Sequence, residues 1–147
     1  FAQKTVEQIA RKYRDIYFLF MGVDAFIKPK WWKSTLENII YLPPSSDIKQ
    51  KLKFINTCSA LLHARERGET FGITVAEFVL QNKPVITFAD SPEKAHLMEL
   101  GNDAYLYRNE NELIEILLDT DLLKTATKSY EKFLPQQVME QFKKVFI

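Results

Sequence analysis

The chain has 147 residues, the size of one domain with room for a substantial core, and 46% of them are apolar. Lysines and glutamates are interspersed and sum to a net charge of +1, which gives no broad electrostatic footprint for nucleic acid. No apolar run reaches the ~20 residues of a membrane span, no signal peptide opens the sequence, and the single cysteine, Cys58, cannot close an internal disulfide, so a reducing, cytoplasmic setting is expected.

Residues 1–13 place Val6, Ile9, Ala10 and Tyr13 at helical spacing. Residues 16–22 form an apolar run ending in Gly22, which reads as a buried parallel strand. A helix leading into a central strand implies an earlier strand outside the chain. Residues 23–38 are irregular, with Pro29 and the pair Trp31-Trp32. Adjacent residues cannot both face one site, so the pair reads as a rim loop packed on the core or as contact with another domain, in preference to a stacking platform. A second strand at 38–42 is stopped by Pro43-Pro44, Ser45-Ser46-Asp47 offers a helix cap, and residues 48–57 read as a helix with Leu52 and Ile55 inward.

Residues 59–63 read as a third strand, and the loop at its carboxyl end carries Gly68-Glu69-Thr70-Phe71-Gly72. Ligands of open α/β sheets bind at that edge, which puts His63 and Arg65 within reach of an anion. Arg65 or Arg67 could stabilise a diphosphate by charge-assisted hydrogen bonds, or both could be solvated loop arginines, and His63 reads as a packed or hydrogen-bonded strand-end residue before a general base. Residues 73–81 are apolar on nearly every side and long enough for a short buried helix, with one carboxylate, Glu77, eight positions after Glu69. A lone Glu there needs a partner. On a helix its side chain leans back toward Gly72, where free N–H groups and the positive end of the helix dipole suit a phosphate. Gly72 lets a ligand approach the backbone there. Glu69 and Glu77 would then border one anion site and accept hydrogen bonds from hydroxyls beside it, a description of a sugar nucleotide. The alternative is that Glu77 is only a dipole-favoured surface residue.

Residues 84–88 read as a fourth strand, Ser91 as a helix cap with Pro92 in the first turn, and 104–107 as a last strand. Helices are expected at 110–118 and 122–133, and an amphipathic one at 136–146 after Pro135. Alternating strand and helix argues for a parallel sheet covered on both faces. No two glycines stand one residue apart, which excludes the dinucleotide fingerprint and the P-loop. One cysteine and two distant histidines give no zinc spacing, and Asp119-Thr120-Asp121, lying between two helices, reads as capping before metal binding.

Taken together, Ala60-Leu61-Leu62-His63, Glu69-Thr70-Phe71-Gly72, Ala76-Glu77-Phe78 and Asn82-Lys83-Pro84-Val85-Ile86 resemble the donor-binding core of retaining GT-B glycosyltransferases of family four, over most of the chain. That family's signature is a Glu, seven residues and a second Glu, with Phe-Gly after the first and Pro-Val opening the next strand. The resemblance implies an α/β fold, a Rossmann-like parallel sheet with helices on both faces, forming the C-terminal half of a GT-B enzyme. It implies a nucleoside-diphosphate sugar such as a UDP-sugar as donor substrate, with no cofactor and no metal. Glu77 would hold the ribose hydroxyls, and Glu69 would be the catalytic-centre residue contacting hydroxyls of the transferred sugar. The backbone of Phe71, Gly72 and Ile73 would cradle the diphosphate, and by analogy the base would lie near Leu42 and Pro43. Transfer with retention would rest on stabilising the departing diphosphate and an oxocarbenium-like transition state.

Ala89-Asp90-Ser91-Pro92 departs from the Gly-rich loop and Glu common in the family, which puts donor contacts from that loop in doubt. The acceptor would bind an N-terminal domain of the same full-length protein, against which Val138, Phe142 and Phe146 of the last helix would pack, so the chain alone is expected to be inactive. Two rivals stand beside this reading: a sugar-nucleotide epimerase of related fold, and a non-catalytic α/β interaction domain.

Overall fold

The computed structural model describes residues 2–26, 36–119, 121 and 128–146. Helix α1 (Ala2–Lys12) buries Thr5, Val6, Ile9 and Ala10 on one face, as the spacing requires. It leads into β1 (Phe18–Met21), which pairs in parallel with β2 (Ile39–Leu42), Phe18 opposite Ile39. Asn38 fixes the approach to both strands. Its side chain is buried, and Nδ2 donates to the carbonyls of Ala10 at 3.0 Å, Tyr13 at 3.1 Å and Ile16 at 2.8 Å. One amide thus satisfies carbonyls that the end of α1 and the following turn would otherwise leave without partners.

Helix α2 (Ile48–Thr57) starts at Asp47, whose side chain accepts from the Lys49 N–H at 2.8 Å, the expected cap. Ile55 is buried, but Leu52, expected inward, is 39% exposed. The helix is rotated so that Lys51, Phe54 and Ile55 face in, and Phe54 meets Phe78 edge-to-face at 6.4 Å.

Strand β3 (Leu61–His63), helix α3 (Ile73–Val79), β4 (Val85–Phe88), α4 (Ala95–Leu100), β5 (Ala104–Tyr107) and α5 (Glu110–Leu118) complete an alternating α/β order, followed by α6 (Pro135–Phe146). The parallel ladder runs β3-β4-β5, with Leu61 opposite Val85 and Val85 opposite Ala104. The single sheet expected from the sequence is instead two among the described residues, β1-β2 and β3-β4-β5, flanked by helices. Side chains bridge the break: Leu62 of β3 and Ile114 and Leu117 of α5 pack against the buried cluster of Val6, Ile9, Ala10, Phe18 and Ile39. A second cluster, Val75, Val79, Val85, Leu100 and Tyr130, lies under α3, and a third joins Ile86, Tyr107 and Leu113.

Three local expectations change. Ser91 does not cap α4; its hydroxyl donates to the Phe88 carbonyl, and the helix begins only at Ala95 after Lys94. The cause is Glu93, whose backbone bridges to Gly68 and whose N–H donates to the Arg67 carbonyl at 3.0 Å, so this stretch is committed to the loop opposite. Helix α3 ends at Val79, short of residue 81, where Asn82 turns into the left-handed region at φ 56°. Of the helix expected over 122–133, residues 122–127 lie outside the described residues, and the remainder is a turn and a 3₁₀ segment, Glu131–Phe133. Pro29, Trp31 and Trp32 also lie outside the described residues. No helix among the described residues is long and apolar enough to cross a membrane.

Candidate functional site

A cleft of about 230 Å³ opens at the carboxyl ends of β1 and β2. Met21 and Gly22 at the end of β1 and Pro44 and Ser45 beyond β2 form one side, while Lys51, Phe54 and Ile55 of α2 and Thr74, Glu77 and Phe78 of α3 form the other. Of the residues that the sequence marks out, Glu77 lines this cleft; Pro43 and Leu42 sit immediately behind Pro44, and the Leu42 carbonyl already accepts from the Gly22 N–H at 3.0 Å. The partner that Glu77 requires is Lys51, whose ammonium ion-pairs with its Oε1, each side chain about one-third exposed. Sequence reasoning did not single out Lys51, since one lysine among many on a helix carries no positional signal.

The first turn of α3 is more open than an all-round buried helix. Ile73 is 71% exposed and Thr74 is exposed, while Val75, Ala76, Phe78 and Val79 are buried. Gly72 precedes the helix at φ 82°, a left-handed conformation. A Cβ there would lie 3.2 Å from the Cβ atoms of His96 and Val75, so the glycine is required by backbone handedness and by these packed neighbours. Phe71 is 38% exposed, and its carbonyl accepts from the Tyr130 hydroxyl at 2.7 Å. Tyr130 is fully buried, and burial, with Glu99 and Glu69 adding, pushes its hydroxyl pKa up to about 12, so it remains a neutral donor.

Glu69 belongs to a second group of side chains. Arg65, four residues earlier and mostly exposed, ion-pairs with Glu69 Oε1, and His63 Nε2 lies 3.8 Å from the same oxygen. His63 is buried; its Nδ1 meets Thr87 Oγ1 at 3.0 Å, and Thr87 Oγ1 meets His96 Nε2 at 3.2 Å. His96 is also fully buried, with Nδ1 3.4 Å from the Glu69 carbonyl oxygen. Burial pushes His63 below the usual imidazole value, reinforced by His96 and Arg65 and opposed by Glu69; burial lowers His96 as well, again opposed by Glu69. Both rings are therefore neutral near pH 7.

The two histidines, 33 positions apart, thus have ring centroids 4.9 Å apart, which their separation in the sequence concealed. The signal that existed was Thr87 on a strand: parallel register sets it opposite His63. Among the described residues no three His, Cys, Asp or Glu side chains are grouped to hold a metal ion. Asp119 Oδ1 accepts from the Asp121 N–H at 3.0 Å, and the Asp119 N–H bonds back to Glu115 and Ile116 carbonyls, the geometry of a helix end.

Chemically, the cleft offers one carboxylate and one ammonium against an apolar floor, and the neighbouring loop offers a second carboxylate framed by a guanidinium and an imidazole. Both arrangements suit a polar ligand rich in hydroxyls. No protein-family model, no curated protein and no solved structure matches this chain.

Proposed function

We propose that the chain is the donor-binding domain of a retaining glycosyltransferase of the GT-B type, taking a nucleoside-diphosphate sugar. The observation that carries the reading is the cleft at the carboxyl ends of parallel strands, with Glu77 on its wall. Carboxylates in such a cleft are suited to ribose diols, because each oxygen accepts from a hydroxyl. On this reading Glu77 takes the ribose hydroxyls and Glu69 those of the transferred sugar. The diphosphate lies along Phe71, Gly72 and Ile73, with Lys51 and Arg65 the nearby cations. The base lies toward Leu42, Pro43 and Pro44. The reaction would proceed with retention, by stabilisation of the leaving diphosphate.

The break between β1 and β3 also supports the reading. A doubly wound sheet has the order 3-2-1-4-5-6, and β2-β1 followed by β3-β4-β5 fits it with the first strand supplied from outside the chain. Helix α6 has no buried residue and exposes Val138, Met139, Phe142, Val145 and Phe146, as a helix packing on an acceptor-binding N-terminal domain would. The reading carries with it a cytoplasmic setting, where sugar nucleotides and a lone cysteine are both at home.

The test is titration of the isotopically labelled chain with UDP, GDP, ADP and their glucose conjugates, followed by NMR. Shifts centred on Gly68 to Glu77 that favour one base and vanish in Glu77→Ala support the donor domain. A response to none of them sinks it and favours a non-catalytic interaction domain. An epimerase would bind the same ligands, and the products formed by the full-length protein separate the two enzymes.

A further inference from the structure

We propose that Thr87 and His96 are positioning residues that hold His63 as its Nδ1–H tautomer, so that the bare Nε2 of His63 and the carboxylate of Glu69 form a pair of acceptors for two neighbouring hydroxyls of a polyol ligand, one hydroxyl donating to each.

The chain of contacts has a fixed polarity. A carbonyl oxygen only accepts, so the 3.4 Å contact between His96 Nδ1 and the Glu69 carbonyl requires a proton on that nitrogen. Neutral His96 then has a bare Nε2, which takes the single proton of the Thr87 hydroxyl across 3.2 Å. Thr87 Oγ1 has its lone pairs left, and accepts from His63 Nδ1–H at 3.0 Å. His63, neutral in turn, ends the relay with an unprotonated Nε2. That atom is buried and has no hydrogen-bond partner among the described residues. It lies 3.8 Å from Glu69 Oε1, too far for a hydrogen bond, and the two acceptors are spaced to take one hydroxyl each from neighbouring carbons of a polyol.

The opposite polarity would put the proton on His63 Nε2 and leave bare His96 Nδ1 against a carbonyl. That buries an acceptor against an acceptor with nothing able to come between them, since His96 is fully buried. In the favoured polarity the unmet acceptor lies beside Glu69, whose side chain is 24% exposed and open to a ligand. Arg65, 63% exposed, ion-pairs with the same Oε1, and a carboxylate in such a pair offers only acceptors. The buried orphan nitrogen is what points to a ligand: a donor is missing, and a neutral hydroxyl supplies it where a phosphate oxygen cannot.

The relay stands without any ligand, whereas its occupant rests on the donor-domain reading, and the tests keep the two apart. His63 and His96 are the only histidines in the chain, so long-range proton–nitrogen NMR of the free protein at neutral pH shows two imidazoles. Both should appear as Nδ1–H tautomers. Thr87→Val, which keeps the shape and removes the hydroxyl, should convert His63 to a tautomer mixture, and Thr87→Ser should restore the single form. An Nε2–H ring at either position, or a His63 tautomer indifferent to Thr87→Val, overturns the relay; if the valine variant does not fold, the wild-type spectrum decides alone. In the second arm UDP-, GDP- and ADP-glucose are compared with the bare diphosphates. The glucose conjugate should move His63 Nε2 upfield as it begins to accept a hydrogen bond, and the diphosphate should not. A conjugate that shifts Glu77 without moving His63 Nε2 overturns the paired acceptor. If no conjugate binds, the donor-domain reading falls and takes the hydroxyl assignment with it, while the tautomers still judge the relay.

Discussion

Lys51 of α2 and Glu77 of α3 close an ion pair across the wall of the cleft, each about one-third exposed. At that exposure the pair contributes at most about 1 kcal/mol to stability, because solvent screens it. On the proposed reading its value to a ligand is larger, since hydrogen bonds to a charged group are each worth about 1.5–3 kcal/mol. Glu77→Gln should therefore leave the melting temperature within a few degrees while weakening sugar-nucleotide binding by about tenfold or more. Calorimetric titration beside a thermal melt checks it, and a variant that binds as wild type would remove Glu77 from the site.

Gly68→Ala should be among the most damaging single-methyl additions. Gly68 has φ 76°, and a Cβ there would fall 1.9 Å from the Glu93 carbonyl oxygen. Left-handed strain and overpacking together cost about 3 kcal/mol or more. Gly22→Ala, at φ 69° with only Pro44 at 3.3 Å, should cost less, about 1–2 kcal/mol. Urea unfolding of the two variants gives the comparison, and equal losses would mean that the contact between Gly68 and Glu93 is not formed in solution.

Asn38→Leu should destabilise by about 2–4 kcal/mol, because it strips a donor from buried carbonyls at Ala10, Tyr13 and Ile16 while roughly keeping volume. Asn38→Asp should be worse, since it turns an acceptor toward acceptors. Chemical denaturation measures both; an aspartate variant as stable as wild type would contradict the geometry.

Acid should weaken the fold through the buried histidines. Both are held below the ordinary value of 6.5 by burial. A group with a lowered folded pKa binds its proton more readily when the chain unfolds. Stability is then fully present above the unfolded value and declines as pH falls through it toward the folded values. The urea midpoint should drop between about pH 7.5 and about pH 5.5, which bracket the free imidazole value of about 6.5, and His96→Gln should flatten the drop. A profile equally steep in that variant would assign the effect to other groups.

Tyr130→Phe removes one hydroxyl from a fully buried ring and leaves the Phe71 carbonyl without its 2.7 Å donor. The loss should be about 1 kcal/mol globally, with faster amide exchange concentrated in the loop from Gly68 to Gly72. Hydrogen-exchange mass spectrometry reads it directly, and protection unchanged in that loop would show that Tyr130 does not anchor it.

Local structure was largely legible in the sequence. Apolar runs marked β1, β2 and β4, Asp47 marked the start of α2, and Pro135 the start of α6, because each signal is set by residues within one or two turns. Long-range choices were not. Nothing near Leu52 indicated that α2 would turn Lys51 and Phe54 inward, since that rotation is decided by Phe78 on another helix. Ser91 looked like a cap until the backbone of Glu93 was committed to Gly68. Of the candidate site, Glu77 stood out as a lone carboxylate in an apolar run and Glu69 by its spacing from it, while Lys51 became visible only when helix packing brought it to Glu77, and Thr87 and His96 only when strand register and helix packing set them beside His63.

Among the described residues no ladder of backbone bonds joins β1 to β3, and the two sheets meet through side chains, Leu62, Ile114 and Leu117 against the cluster around Ile9 and Phe18. The cleft straddles that seam, one wall built on β1 and β2 and the other on α2 and α3. Aliphatic surfaces slide by fractions of an ångström without losing their contact, whereas a ladder must break a bond to shift. The strand that the proposed reading supplies between β1 and β3 would replace this side-chain seam with a ladder along each of its edges, and so fix the width of the cleft.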